Sequence, residues 1–204
     1  DRVLNFLPFA HIFEKGWALL GMSVGAKMIV NTYPQEVQQS MRETHPTCMS
    51  SVPRFWEKVY QAVRAKIDRS SSMQQKMFYK AWNIGKKYNV DYLAKGKRPP
   101  LSLRLQYAIA NKTVLGLVRS QIGLEHPNIF PTEFVHSIGI GMVVGYGLTE
   151  SLATVSCNHL DEGYTIGSVG RPINGIEIKI GENSEILLKG PTITKGYYKR
   201  PEQN

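Results

Sequence analysis

The chain has 204 residues, of which 42% are hydrophobic and 20% charged, and 25 Lys and Arg outnumber 16 Asp and Glu to give a formal net charge of +9. That balance fits a soluble globular protein able to bury a core in one or two domains. Two cysteines, Cys48 and Cys157, exclude a disulfide framework and suit a reducing, cytoplasmic setting, and the apolar run from Trp17 to Val30 is too short, and interrupted by Lys27, to span a bilayer.

In chain order, Val3 to Leu7 predicts a buried strand stopped by Pro8, and Glu14 to Val24 a helix ended near Gly25. Lys27 to Val30 predicts a second strand. Pro34 sits where helices start, with Gln35 to Glu43 continuing, and Thr47 to Ser50 predicts a third strand. Pro53 opens a helical segment in which Phe55, Trp56, Val59, Tyr60, Val63 and Ile67 recur at helical spacing. Ser70 to Ser72 break the pattern, and Met73, Met77, Ala81 and Ile84 resume it to about Gly85. Ile140 to Val144 read as a buried strand ending in a glycine turn. Near the end, Ile176 to Ile180 alternate as a half-exposed strand, residues 181–184 form a turn, and Glu185 to Leu188 return. The order predicts an α/β fold: a mostly parallel sheet with flanking helices, then a small β-rich C-terminal portion. Its expected parts are a strand and helix core (1–53), a basic helical insertion (54–120), a nucleotide-site strand and loop (121–175) and a hairpin portion (176–204).

The charge is uneven. Arg54 to Arg104 hold 13 Lys and Arg against 3 Asp and Glu, whereas the remainder holds 12 against 13. Three readings fit this excess: a solvated outer helix face, contact of helices 54–104 with anionic lipid headgroups, or binding of a phosphorylated cofactor. No RNP, zinc-finger or helix-turn-helix pattern supports a nucleic-acid partner.

The most informative run is Gly145-Tyr146-Gly147-Leu148-Thr149-Glu150-Ser151. Tyr146 offers a flat aromatic face, Thr149 a hydroxyl and Glu150 a hard oxygen ligand. A nucleotide with its magnesium asks for these three groups: a surface for the base, a donor to phosphate oxygens and a carboxylate for the cation. Each has a plainer reading. Tyr146 could be a core tyrosine at a strand end, Thr149 a helix N-cap, and Glu150 an acidic cap on a following helix.

Residues 145–150 also resemble the fifth core motif of the adenylate-forming enzymes, the acyl-CoA synthetases and their luciferase and peptide-synthetase relatives. Leu7 to Glu14 resemble the fourth motif, Gly167 to Pro172 the family's Gly-Ser-Val-Gly stretch, and Glu185 to Pro191 with Gly196 to Glu202 the sixth. Ser51-Val52-Pro53-Arg54-Phe55-Trp56-Glu57-Lys58-Val59-Tyr60 is similar to a stretch of the long-chain fatty acid branch. The resemblance covers nearly the whole chain. It implies a long-chain fatty acid–CoA ligase that uses ATP, Mg2+ and CoA: the fatty acid becomes an acyl-adenylate, and the CoA thiol then displaces AMP. It places Glu150 on the metal, Thr149 on phosphate, Tyr146 beside adenine, Gly145 and Gly147 where backbone approaches nucleotide, and His11 in the wall of the acyl pocket. A lone histidine among apolar residues can equally be a hydrogen-bonded core residue. Gly170-Arg171-Pro172 and Gly196-Tyr197 read as turn and packing elements.

The family's Ser/Thr/Gly-rich phosphate loop and its C-terminal lysine have no match here, and the joint at Thr132-Glu133 is shorter than the family's glycine-rich loop. The expectation is a central fragment of a longer enzyme, inactive alone. Competing expectations are a ligase for another carboxylate, aryl or amino acid, and a non-catalytic lipid-binding or scaffold domain. A homodimer is left open, as is a peripheral membrane location for a cytoplasmic protein.

Overall fold

A computed structural model describes residues 1–123, 133–159 and 163–203. The anticipated short joint at Thr132 lies outside them. The first part is a parallel sheet of β1 (Arg2–Asn5), β2 (Lys27–Val30) and β3 (Cys48–Met49) in the order β2-β1-β3, joined by helices α1 (Ile12–Ser23) and α2 (Val37–Thr44). Val3 lies opposite both Met28 and Cys48. The central strand is buried from Val3 to Asn5, as a two-sided parallel strand should be. It ends at Asn5 rather than Leu7, and β3 shrinks to Cys48–Met49, because a strand lasts only as long as its neighbours pair with it. Gly25 ends α1 as expected: at φ 69° its N–H donates to the Met22 carbonyl, and Ala26 N–H to that of Gly21.

The charged residue Glu14 is fully buried in this layer. It accepts a hydrogen bond from Asn5 Nδ2 at 3.0 Å and another from the Ser50 hydroxyl. One carboxylate thus ties β1, α1 and the end of β3 together, which satisfies a polar group that burial alone would penalise.

The basic segment is helical: α3 (Pro53–Asp68) and α4 (Ser72–Gly85). The break between them is a capping box, with Gln74 N–H donating to Ser71 Oγ and Ser71 N–H to Gln74 Oε1. The expected stop at Gly85 does not occur. The helix continues as a π-helical stretch, Lys86–Tyr92, and Gly85 itself is α-helical. Its small size serves packing instead, since a Cβ there would lie 1.9 Å from the Ser137 carbonyl oxygen. Helices α5 (Leu101–Ala110), α6 (Gly116–Ile122) and α7 (Glu133–Ser137) complete this layer.

Ile140 to Val144 do not form the expected strand. Ile140 and Met142 are buried, but ladder pairing starts only at β4 (Gly145–Tyr146). β4 pairs antiparallel with β5 (Ser156–Cys157), and β5 with β6 (Arg171–Pro172), so the Arg171-Pro172 pair is an edge strand rather than a turn. β7 (Glu177–Ile180) and β8 (Ile186–Lys189) form the anticipated hairpin.

The core joins the parallel sheet to the helices through Leu4, Met41, Met49, Trp56, Phe78 and Leu115. An aromatic lattice knits it: Tyr60 and Trp82 each meet Phe134 edge-on at 5.1 and 5.2 Å, and Phe6 meets Phe55 at 5.2 Å. Each such pair adds about 1 kcal/mol beyond the burial itself. No helix among the described residues is long and apolar enough to cross a membrane.

Candidate active site

β4 delivers the chain into a closed loop. Thr149–Ser151 make one 3-10 turn, and among the described residues no longer helix follows. The cap position belongs to Leu148 rather than Thr149: Leu148 N–H donates to Ser151 Oγ at 2.9 Å, and that hydroxyl donates to the Leu148 carbonyl at 3.0 Å. Ala153 N–H also returns to the Leu148 carbonyl, and Val155 N–H to that of Tyr146. Closing so tightly puts Leu152 and Ala153 at φ 52° and 85°, a left-handed geometry that costs non-glycine residues about 1 kcal/mol or more each.

Gly147 is demanded by this loop. A Cβ at that position would lie 1.5 Å from the Ala153 carbonyl oxygen. Its lack of a side chain is therefore required by the protein's own backbone, whatever approaches from outside. Gly145 is less constrained, its nearest neighbour being the Ser156 carbonyl at 3.2 Å.

Gly145, Tyr146, Gly147, Thr149 and Glu150 all belong to β4 and the loop that follows it. Thr149 is exposed, Tyr146 and Glu150 half-exposed. Glu150 is anchored twice from the distant segment 194–197: its main-chain carbonyl accepts from Thr194 N–H at 2.8 Å, and its Oε1 accepts from the Tyr197 hydroxyl at 2.5 Å. The phenol hydrogen bond holds the Glu150 carboxyl below its ordinary range, and the carboxylate in turn raises the Tyr197 hydroxyl. Tyr197, read from sequence as a packing residue, thus touches the candidate metal ligand. The Gly196-Tyr197 motif was its only signal, because the contact spans 47 residues.

His11 belongs to a different element, at the N-cap of α1 beyond the carboxyl end of β1. It is exposed and its side chain makes no capping bond, so it is not a hydrogen-bonded core histidine. Its N–H closes a turn onto the Pro8 carbonyl at 3.0 Å. The carboxyl ends of parallel strands are where open α/β sheets bind ligands. An open groove of about 860 Å³ lies elsewhere, between α4 and α5.

No group of three or more His, Cys, Asp and Glu that could hold a metal occurs among the described residues. A single accessible, ionised carboxylate nevertheless suits Mg2+, which is commonly held by one or two carboxylates plus substrate phosphates. Both cysteines are free and half-buried, and burial raises both thiols, which makes them poor nucleophiles.

A parallel sheet with flanking helices, followed by this loop, is the architecture of the N-terminal domain of adenylate-forming enzymes. The family model described as AMP-binding enzyme matches residues 1–198, and the chain belongs to that family. It is 30% identical to the palmitoyl-CoA ligase FUM16 of Gibberella moniliformis, over 99% of this chain and 33% of that protein. It is also similar to a long-chain-fatty-acid-CoA ligase from Archaeoglobus fulgidus (19% identity, TM-score 0.51, 99% of this chain and 36% of that one). A Bacillus subtilis O-succinylbenzoate CoA synthetase solved with ATP and magnesium shares the fold at 17% identity and TM-score 0.51, over 99% of this chain and 35% of that one. The chain spans about a third of the length of the curated relatives it matches.

Proposed function

We propose that this chain serves an AMP-forming long-chain fatty acid–CoA ligase, in which residues 145–151 form one wall of the nucleotide site. The chemistry joins a carboxylate oxygen to the α-phosphorus of ATP with loss of pyrophosphate. The CoA sulfur then attacks the acyl carbon and AMP leaves. Two anions must meet in the first step, so the site has to neutralise charge and hold the attacker in line. Bound Mg2+ supplies the neutralisation. Glu150 is the residue of this chain that would hold it, and the Tyr197 hydrogen bond keeps the carboxyl ionised and fixed in direction. Thr149 offers its exposed hydroxyl to a phosphate oxygen, and Tyr146 its ring to the adenine. His11 lines the acyl side, with no proton-transfer role.

The observation that carries this reading is the doubly anchored, accessible Glu150 on a loop of the AMP-binding family. The long-chain preference rests on the resemblance of Ser51 to Tyr60 and on relatives named for long-chain or palmitoyl substrates. The test is Mg2+-dependent nucleotide binding by the complete polypeptide with and without Glu150→Gln. We expect affinity to drop by roughly tenfold or more, in line with the loss of an ordered metal contact. Unchanged Mg2+-dependent affinity would assign the chain a scaffold role instead. A panel of fatty, aryl and amino acids, read by AMP release, decides the substrate class.

A further inference from the structure

Helices α4 and α5 pack side by side, and the groove between them is walled on one side by Lys76, Lys80 and Lys87. Spacings of four and seven place these lysines on one helical face. Gln75, Asn83 and Gln106 add polar groups, and Tyr79 an exposed ring. Next to the groove runs a ridge. Leu101, Leu105 and Ile109 recur at every fourth position of α5 and are 68%, 61% and 68% exposed. The opposite side of α5 is buried through Leu103 and Ala110, so this helix has two apolar faces and the core uses only one. Lone exposed leucines are ordinary, whereas an aligned row of bulky aliphatic side chains marks an interaction surface. Helical rotation puts Ser102 and Gln106, which line the groove, directly beside Ile109. Arg104 flanks the other side of the ridge.

The surrounding charge is one-sided. From Ser72 to Lys112 there are nine Lys and Arg and one acidic residue, Asp91, itself 3.8 Å from Lys95. We propose that this face docks on an anionic lipid bilayer, with the lysine row against headgroup phosphates and the α5 ridge at the boundary between headgroups and acyl chains. An aliphatic ridge beside a cationic row is the composition of helices that lie in the membrane interface. The same composition argues against other occupants. Single-stranded nucleic acid asks for aromatic stacking platforms, and protein interface cores are depleted in lysine.

The experiment is sedimentation of the complete polypeptide with phosphatidylcholine vesicles, with and without phosphatidylserine. Binding is expected only with phosphatidylserine and should weaken as salt rises. Each lysine near such a surface contributes roughly fivefold in affinity, so the triple change Lys76→Glu, Lys80→Glu, Lys87→Glu should lower binding by roughly a hundredfold or more. Leu101→Ser with Leu105→Ser and Ile109→Ser should also weaken it, with thermal unfolding no less cooperative, because these side chains support no core. A separate Leu105→Cys variant should react quickly with a water-soluble maleimide in the free protein and slowly on vesicles. Equal binding to both vesicle types overturns the proposal, as does full binding by the lysine triple variant. Slow labelling of Leu105→Cys without lipid also overturns it, since another polypeptide segment or partner would then cover the ridge.

Discussion

Tyr197 and Glu150 illustrate how one contact can set the state of a functional group. The phenol donates to the carboxylate, which favours the ionised form and lowers its pKa. Removing the donor in Tyr197→Phe lets that pKa rise. The acid limb of Mg2+-dependent nucleotide binding should therefore move to higher pH, while affinity well above that limb changes less. A pH titration of binding in both proteins checks this, and an unmoved limb would show that the tyrosine does not govern the carboxylate. Gly147 makes a steric case at the same scale. With the Ala153 carbonyl oxygen 1.5 Å from any added Cβ, Gly147→Ala must push the loop open. The expected cost is about 3 kcal/mol, the upper range for overpacking, with loss of nucleotide binding, measured by denaturant unfolding and by calorimetry. Tyr146, Thr149 and Glu150 could be put forward as candidates from the sequence because their three chemistries sit within five positions of one run. Tyr197 could not, because a partner 47 residues away leaves no local periodicity to read.

Elements with their own local signal were read well. Lys27–Val30 is a strand, Pro53 opens α3, and the serine run before α4 is a capping box. Elements that depend on distant partners were not. Ile140 to Val144 have the apolar content of a strand, yet pairing begins only at Gly145, opposite Cys157. Gly85 has the look of a helix stop, but the neighbouring α7 backbone explains it better. The hairpin turn lies between these cases. Ser184 adopts φ 64° beside Asn183 at 57°, a region that favours glycine. Asparagine tolerates that region, whereas serine pays about 1 kcal/mol or more for it. Glycine removes that cost but loses more chain entropy on folding, so Ser184→Gly should stabilise the hairpin by about 0.5–1 kcal/mol. Amide exchange of β7 and β8 is the suitable probe, because it reads local opening directly. Asn183→Gly should gain less, and an equal gain would show that the turn does not discriminate between its two left-handed positions.

At the scale of the molecule, the question is what ties the helical layer to the later segments. One joint is a buried polar pair. His136 on α7 is 4% exposed, and the Tyr164 hydroxyl lies 3.0 Å from its Nε2. Tyr164 also donates its N–H to the Ala94 carbonyl, so a single residue meets α7 and the turn after the π-helical stretch. Nothing in the local sequence of either residue announces this pairing, since the histidine shows no ligand spacing and the tyrosine sits in a loop. Burial pushes His136 down to about 4 and Tyr164 up to about 12, so both are neutral near pH 7. The unfolded chain, with an ordinary histidine near 6.5, binds a proton that the folded chain refuses between pH 6.5 and about 4. Stability from this site is therefore complete above pH 6.5 and falls as pH drops through that window, by about 2 kcal/mol at pH 5. His136→Gln can still bond to Tyr164 but cannot titrate, so its unfolding free energy should decline less steeply from pH 7 to pH 4.5 than that of the parent. Urea unfolding at several pH values measures both slopes. Equal slopes would mean that His136 accepts its proton without leaving its place in α7, and the joint would then be held by packing rather than by the neutrality of the pair.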